Sequence, residues 1–326
     1  MNVIQRPGSI EFASTMPDYI IETEVTINFS VQYQGKTILS EEYVPDGNYQ
    51  VRIRKLGKFC MNALWGKWPD TDTYSQSAAA GTFSFLINGS KDTDTFLLFS
   101  RFQVASRSLL SMIQEKVTRP GAAEWCNFIM KNGENLTLAY TEDMVQWATQ
   151  QIYTHSSTTS VVSINASLKR VETLTGKISL CAYEIRHSGG EKMTFLVDKT
   201  SYLDCFCFRF LNNFDLPESV TTVGILTLKG GDESETGLLY GVTRKFEITP
   251  GDEYTANSGV IFSQADYRLW RDFLNTRQAE IYSSGTWLPI VITKQNYERE
   301  FRRNKLKAVE FNFQMADPEQ NGLIEL

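Results

Sequence analysis

The 326 residues carry 32 basic and 38 acidic side chains, a net charge of −6, and 42% of them are hydrophobic. A chain of this length exceeds the roughly 250 residues at which a single core stops growing, so two or three packed modules are expected and disorder is not. The acidic balance gives no electrostatic footprint for a polyanion, so nucleic acid is not an expected partner, and no run approaches the roughly 18 apolar residues of a membrane span.

The opening MNVIQRPGSIEF lacks a cationic start followed by a sustained apolar stretch, so residence in a cytosol is expected and a membrane is not. In EVTINFSVQY the alternation puts Val25, Ile27, Phe29 and Val31 on one face and Thr26, Asn28, Ser30 and Gln32 on the other. With KTILSEEYV and YQVRIRKL, separated by turns at Gln34-Gly35 and Pro45-Asp46-Gly47-Asn48, it reads as a three-stranded meander. GTFSFLING and TFLLFSRFQV are then expected to form the second layer of a sandwich over residues 1–105.

The stretch ASRSLLSMIQEKVTRPGAAEW reads as a connector, with spacing that allows a short helix before the break at Pro120-Gly121. Strand-like runs follow at EWCNFIM, NLTLAY, VQWATQQIY, TSVVSINASL, KISLCAYEIR and EKMTFLVD, enough for a second sandwich-like module over 106–199. In the remainder, 200–326, strands are expected at 202–211, 220–229, 238–249, 286–293 and 305–315. The one helix, over about 263–275, starts at Ser263 with Asp266 three residues on and aligns Leu269, Trp270, Phe273 and Leu274. The fold class is therefore all-β, mainly antiparallel, in two or three β-sandwich-like modules with one short helix in the last.

Catalytic material is sparse. The two histidines, His155 in THSSTTS and His187 beside Ser188-Gly189-Gly190, read as solvated turn residues, and neither a G-x-S-x-G elbow nor a phosphate-binding glycine loop occurs. No catalytic residue, cofactor or metal ligand is assigned, and the chain reads as non-enzymatic, although a dispersed carboxylate pair would leave no signature. GGDESETG, with Asp232, Glu233 and Glu235, lacks the register of a calcium loop and reads as a solvated hairpin turn. KQNYEREFRRNKLK gathers Lys294, Arg299, Arg302, Arg303, Lys305 and Lys307 around Tyr297 and Phe301, but Glu298 and Glu300 dilute it to a polar turn. The sequons at Asn28, Asn88, Asn135 and Asn165 read as chance.

Two features remain. LWGKWPDTDTY places Trp65, Trp68 and Tyr74 in one loop, where flat rings either stack on a glycan or protein partner or pin the loop to its own sandwich. CFCFRF reads as a strand, with Phe206, Phe208 and Phe210 facing a core and Cys205, Cys207 and Arg209 on the other surface. Residues two apart on a strand are poorly placed for a disulfide, and the five cysteines together read as free buried thiols. Arg209 is expected to pair with an acid or a carbonyl on a partly covered face.

The opening TEVTINFSVQYQGKTILSEEYVPDG, the central FCFRFLNNFDLPES, the late ADYRLWRDFLNTRQAEIY and the closing WLPIVITK and LKAVEFNFQMADPEQNGL together resemble, in order, uncharacterised structural proteins of Bacteroides-type prophages found among tail genes. The resemblance implies a tail, baseplate or tail-tip component. Such a protein would self-associate as a homo-oligomer or dock on other phage tail proteins, residing in the bacterial host cytoplasm during assembly and then in the virion. It supplies no catalytic residues. Where it leads one to expect a glycine and an aromatic near the central turn, the chain has Asp215-Leu216-Pro217. The alternative reading is a carbohydrate- or receptor-binding module that uses Trp65, Trp68 and Tyr74, with a glycan as the partner.

Overall fold

Alternation of apolar and polar residues drives the first layer. In the strand Ile27–Tyr33 the side chains of Ile27, Phe29, Val31 and Tyr33 are buried on one face, and Phe29 and Phe85 stack across the sheet at 6.3 Å. The structure, a computed structural model, describes residues 1–263, 266–296, 298 and 307–317. It is an all-β protein, mainly antiparallel, built of stacked sheets.

The N-terminal sheet runs Ile10–Phe12, Ser90–Leu98, Ala80–Ile87, Ile27–Tyr33, Lys36–Tyr43, antiparallel except for its first pair. The two runs expected to form a second layer thus lie in this same sheet. Asn88 (φ 51°) and Gly89 (φ 78°) make a two-residue turn with both central residues left-handed, which joins adjacent strands and not opposed layers. The second layer is instead Asn2–Gln5, Tyr19–Glu22 and Gln50–Ile53. The expected meander breaks because Asp46 Oδ1 accepts the N–H groups of Asn48 and Gln50, turning the chain so that Gln50–Ile53 pairs with Tyr19–Glu22. Val25 precedes the strand and is exposed, so the buried face starts at Ile27. A short helix, Leu56–Met61, follows where sequence suggested the end of a strand.

A five-stranded sheet comes next, in the order Glu115–Thr118, Lys192–Val197, Ala182–His187, Asn135–Thr141, Ala148–Thr154, its first pair parallel. The connector therefore contributes a strand and no helix. Facing this sheet are Trp125–Met130, Ser160–Asn165 and Thr73–Ser75, so a strand from the first hundred residues sits beside the middle ones. A second unforeseen helix, Leu168–Thr175, begins after Asn165 Oδ1 accepts the Ser167 N–H and ends at Gly176 in the left-handed region (φ 66°).

The last sheet has seven strands, Pro217–Thr222, Phe206–Leu211, Ala279–Ser283, Thr286–Asn296, Glu310–Met315, Glu253–Asn257 and Leu226–Lys229. The helix Asp266–Leu274 lies across it, and Phe273 meets Phe208, Phe210 and Phe311 at 5.1 to 5.7 Å. Asp266 caps the turn before the helix by accepting the N–H groups of Phe262 and Ser263 at 3.0 Å. No helix among the described residues is long and apolar enough to cross a membrane.

Candidate interaction surfaces

The aromatic loop is anchored away from its own sandwich. Tyr74 lies in Thr73–Ser75, opposite Ser163, and Gln76 ties the loop by bonding the Lys67 backbone and the Ser163 hydroxyl. The indole of Trp68 covers Arg209, whose guanidinium carbon lies 4.5 Å from the ring centroids of both Trp68 and Trp287. Nε and Nη2 of Arg209 both donate to Glu280, which is 8% exposed. A guanidinium between two indoles and against a carboxylate keeps its charge paired while losing water, an arrangement worth about 0.5–2 kcal/mol per ring. Of the three loop aromatics, Trp65 remains half exposed (51%), whereas Trp68 and Tyr74 are partly covered.

CFCFRF is the strand it was expected to be, with Phe208 and Phe210 fully buried and Arg209 paired with an acid on a partly covered face. Phe206 is only half buried at the strand's start. The thiols divide: Cys60, Cys126 and Cys207 are buried, while Cys181 and Cys205 are exposed, which corrects the reading of all five as buried. Burial pushes the Cys207 thiol up to about 12, so it behaves as a small apolar group.

Immediately after this strand comes the turn to which sequence assigned no role, and it touches all three parts of the chain. Every residue from Leu211 to Thr222 is buried. Asn212 Oδ1 accepts the N–H groups of Phe214 and Leu216 from inside the turn, and Asp215 adopts a left-handed φ of 58°. Toward the N-terminal part, Asp215 Oδ2 accepts the Gly66 N–H at 2.7 Å, while Arg277 from its own part of the chain pairs with the same oxygen at 2.7 Å, and Asn213 Oδ1 accepts the N–H groups of Arg101 and Phe102. Toward the middle part, Asn127 donates to the Pro217 carbonyl, Ser111 donates to Glu218, and Lys116 donates to the Ser219 carbonyl at 2.7 Å. Phe12, Leu98, Leu110, Ile129, Val161, Phe214 and Leu216 close an apolar cluster around the same point.

The charges there are buried. Lys116 and Glu124 pair at 2.6 Å with 4% and 2% of their side chains exposed, and Ser219 also donates to Glu124. Burial pulls the Lys116 ammonium down, but Glu124 and Glu218 together hold it above its ordinary value. Glu218 is pushed up chiefly by burial, against the pull of Lys116. This buried network ties the strand Pro217–Thr222 to the strand Glu115–Thr118 and to Glu124.

The opposite extreme is the ribbon Asp232–Leu239 and Val242–Pro250, a two-stranded antiparallel sheet with no third strand among the described residues. Its root is Gly230-Gly231 opposite Gly251, joined by the Gly251 N–H to the Gly231 carbonyl at 2.8 Å, and it prolongs the edge pair Leu226–Lys229 and Glu253–Asn257. Tyr240 (φ 51°) and Gly241 (φ 77°) turn it, and the tip exposes Leu238 (76%), Tyr240 (95%) and Val242 (56%). Phe246 lies over Gly237, where an added Cβ would come within 2.8 Å of the ring. The acidic run expected to be a solvated turn is thus the outbound strand of this ribbon, because the turn falls beyond it at Tyr240-Gly241. Sequence reasoning missed it because the left-handed first turn position is a tyrosine and not the usual Asn or Asp.

The histidines are buried, each 4% exposed, and not solvated. Both close the turn at Gly133-Glu134 from within. His155 exchanges backbone hydrogen bonds with Gly133 and Glu134, while the His187 ring accepts the Gly189 N–H at Nδ1 and so donates from Nε2 to Glu134 at 3.2 Å. Of the basic segment, Tyr297, Arg299, Glu300, Phe301, Arg302, Arg303 and Lys305 lie outside the described residues, and Lys307 pairs with Glu298. No family model matches the chain, and no curated protein matches it in sequence.

Proposed function

We propose that the chain is a non-enzymatic structural protein of a phage or prophage virion, a tail, baseplate or tail-tip component that acts through protein–protein interfaces. The observation that carries this reading is the ribbon. Native sheets blunt or cover long edges and apolar tips, since unpaired N–H and C=O groups invite pairing with other chains. Here two strands of eight and nine residues project with Leu238, Tyr240 and Val242 in solvent, from a body whose parts are locked by buried polar bonds. A rigid body with an uncovered arm suits assembly, and the ordered sequence resemblance to prophage tail proteins gives the assembly its setting, in the host cytoplasm and then the virion.

Co-expression with the proteins encoded beside it tests the reading. The chain should co-purify with at least one of them as a defined complex, and a chain that ignores every neighbour would count against it. A carbohydrate- or receptor-binding role is the second reading, favoured by the half-exposed Trp65 ring. A glycan array that responds to the wild type and not to Trp65→Ala would support it.

A further inference from the structure

Where the strands Glu115–Thr118 and Pro217–Thr222 meet the start of the helix Asp266–Leu274, a cleft of about 40 Å³ opens between the middle and last parts of the chain. Arg119 lines it and is 5% exposed. Its Nε donates to Asp198 at 3.0 Å and its Nη1 to the Thr221 hydroxyl at 2.8 Å, while the rings of Tyr202 and Phe262 lie 5.3 and 5.9 Å from the guanidinium carbon. Nη2 is buried and has no partner among the described residues. A buried N–H left unpaired costs free energy that an oxygen acceptor recovers. The other acids lining the cleft are spent on other donors, Glu124 on Lys116 and Ser219, and Asp266 on the N–H groups of Phe262 and Ser263.

We propose that this cleft binds the acetamido group of an N-acetylated amino sugar, its carbonyl oxygen accepting from Arg119 Nη2. Charge, size and lining select that group. Glu124, Asp198 and Asp266 outnumber Lys116 and Arg119, so a further anion is disfavoured, and a cation is repelled by the guanidinium and cannot accept its spare N–H; a neutral acceptor remains. At about 10–15 Å³ for each water-sized group, the cleft seats about three or four heavy atoms, the size of an acetamido group. Val220, Leu269 and Trp270 supply an apolar wall for its methyl. At the rim Val260 and Phe262 are 60% and 50% exposed, and the sugar ring that carries the acetamido group would lie against them.

This site stands apart from the assembly reading and from the Trp65 surface. Titration of the full chain with N-acetylglucosamine, glucose and Nε-acetyllysine, followed by saturation-transfer NMR, tests it with Arg119→Lys, Phe262→Ala and Trp65→Ala. N-acetylglucosamine should bind with the strongest transfer to its acetyl methyl, and glucose should not bind. Arg119→Lys keeps a charge beside Asp198 but removes the planar fork and its spare N–H, and should weaken binding at least about tenfold, with circular dichroism confirming the fold. Phe262→Ala, on the exposed rim, should weaken it about threefold or more, and decides the matter alone if Arg119→Lys does not fold. Equal binding of N-acetylglucosamine and glucose, binding of neither, or variants at these two positions that bind like the wild type would overturn the inference. So would tighter binding of Nε-acetyllysine, which would assign the cleft to an acetylated peptide, or a response lost in Trp65→Ala, which would move the site to the aromatic loop. Co-purification with neighbouring proteins does not pass through the cleft, so the assembly reading stands or falls separately.

Discussion

Replacing Lys116 by methionine removes the one ammonium set against two buried carboxylates. Lys116, Glu124 and Glu218 are 4%, 1% and 2% exposed, so water cannot take over the missing charge. Methionine keeps most of the volume of the stem, so the loss is electrostatic, and it includes the bond from the ammonium to the Ser219 carbonyl. Removing one partner of a buried pair costs about 3–5 kcal/mol, more than the net worth of the pair itself, because the remaining charge is stranded. Without Lys116 to pull against burial, the Glu218 carboxyl rises further, and the folded chain then holds protons that the unfolded chain releases. Stability of the variant therefore falls as pH rises above the unfolded glutamate value of about 4.3, and its deficit against wild type should shrink near pH 5 and be largest near pH 8. Urea denaturation followed by tryptophan fluorescence at both pH values measures this. A Lys116→Met/Glu124→Gln variant should recover part of the deficit at the higher pH. A deficit below about 1 kcal/mol at pH 8, or one independent of pH, would show that the network is solvated and the reasoning wrong.

Gly66→Ala would place a Cβ 1.6 Å from the Asp215 carbonyl oxygen, so the loop must release its bond to that turn, and a loss of about 1–3 kcal/mol or more is expected in the same urea assay. Trp68→Ala uncovers one face of Arg209 and should cost at least about 1 kcal/mol, with Trp287 fluorescence shifting to the red as water enters; an unshifted spectrum would mean that the indole is not a lid. Asp272 is raised to about 7 by burial and by Glu218, which outweigh the Asn213 N–H and Arg101. Since its folded value lies above its unfolded one, the stability it contributes is full below about pH 4 and is lost as pH rises through about 7, by at most about 4 kcal/mol. Asp272→Asn should flatten that slope, and a variant with the wild-type slope would refute the assignment.

Alternation made the strands legible, and CFCFRF shows how far it reaches, since the face assignment and the pairing of Arg209 both followed from period two and the cost of an unpaired guanidinium. Which strands share a sheet was not legible. The Asn88-Gly89 turn and the Asp46 side chain decide that, and both act through backbone angles that a hydrophobic pattern does not carry. The helix Leu168–Thr175 was hidden for a related reason, as Val, Thr and Leu suit either period over eight residues. The Trp loop was legible as a cluster but not as a clasp, because its partners Ser163, Arg209 and Asp215 lie far along the chain, Ser163 87 and Asp215 149 residues from the groups they bind.

That separation has a consequence in time. The Gly66 N–H and its acceptor Asp215 are 149 residues apart. At roughly 5–20 residues per second of synthesis, the loop with Trp65 and Trp68 waits about 7–30 s after it leaves the ribosome before its acceptor exists. During that interval two tryptophans wait without the acceptor that fixes their loop. The segment that looks most like a binding site is, for every newborn chain, a surface that a chaperone can hold until the turn at Asp215 arrives to claim it.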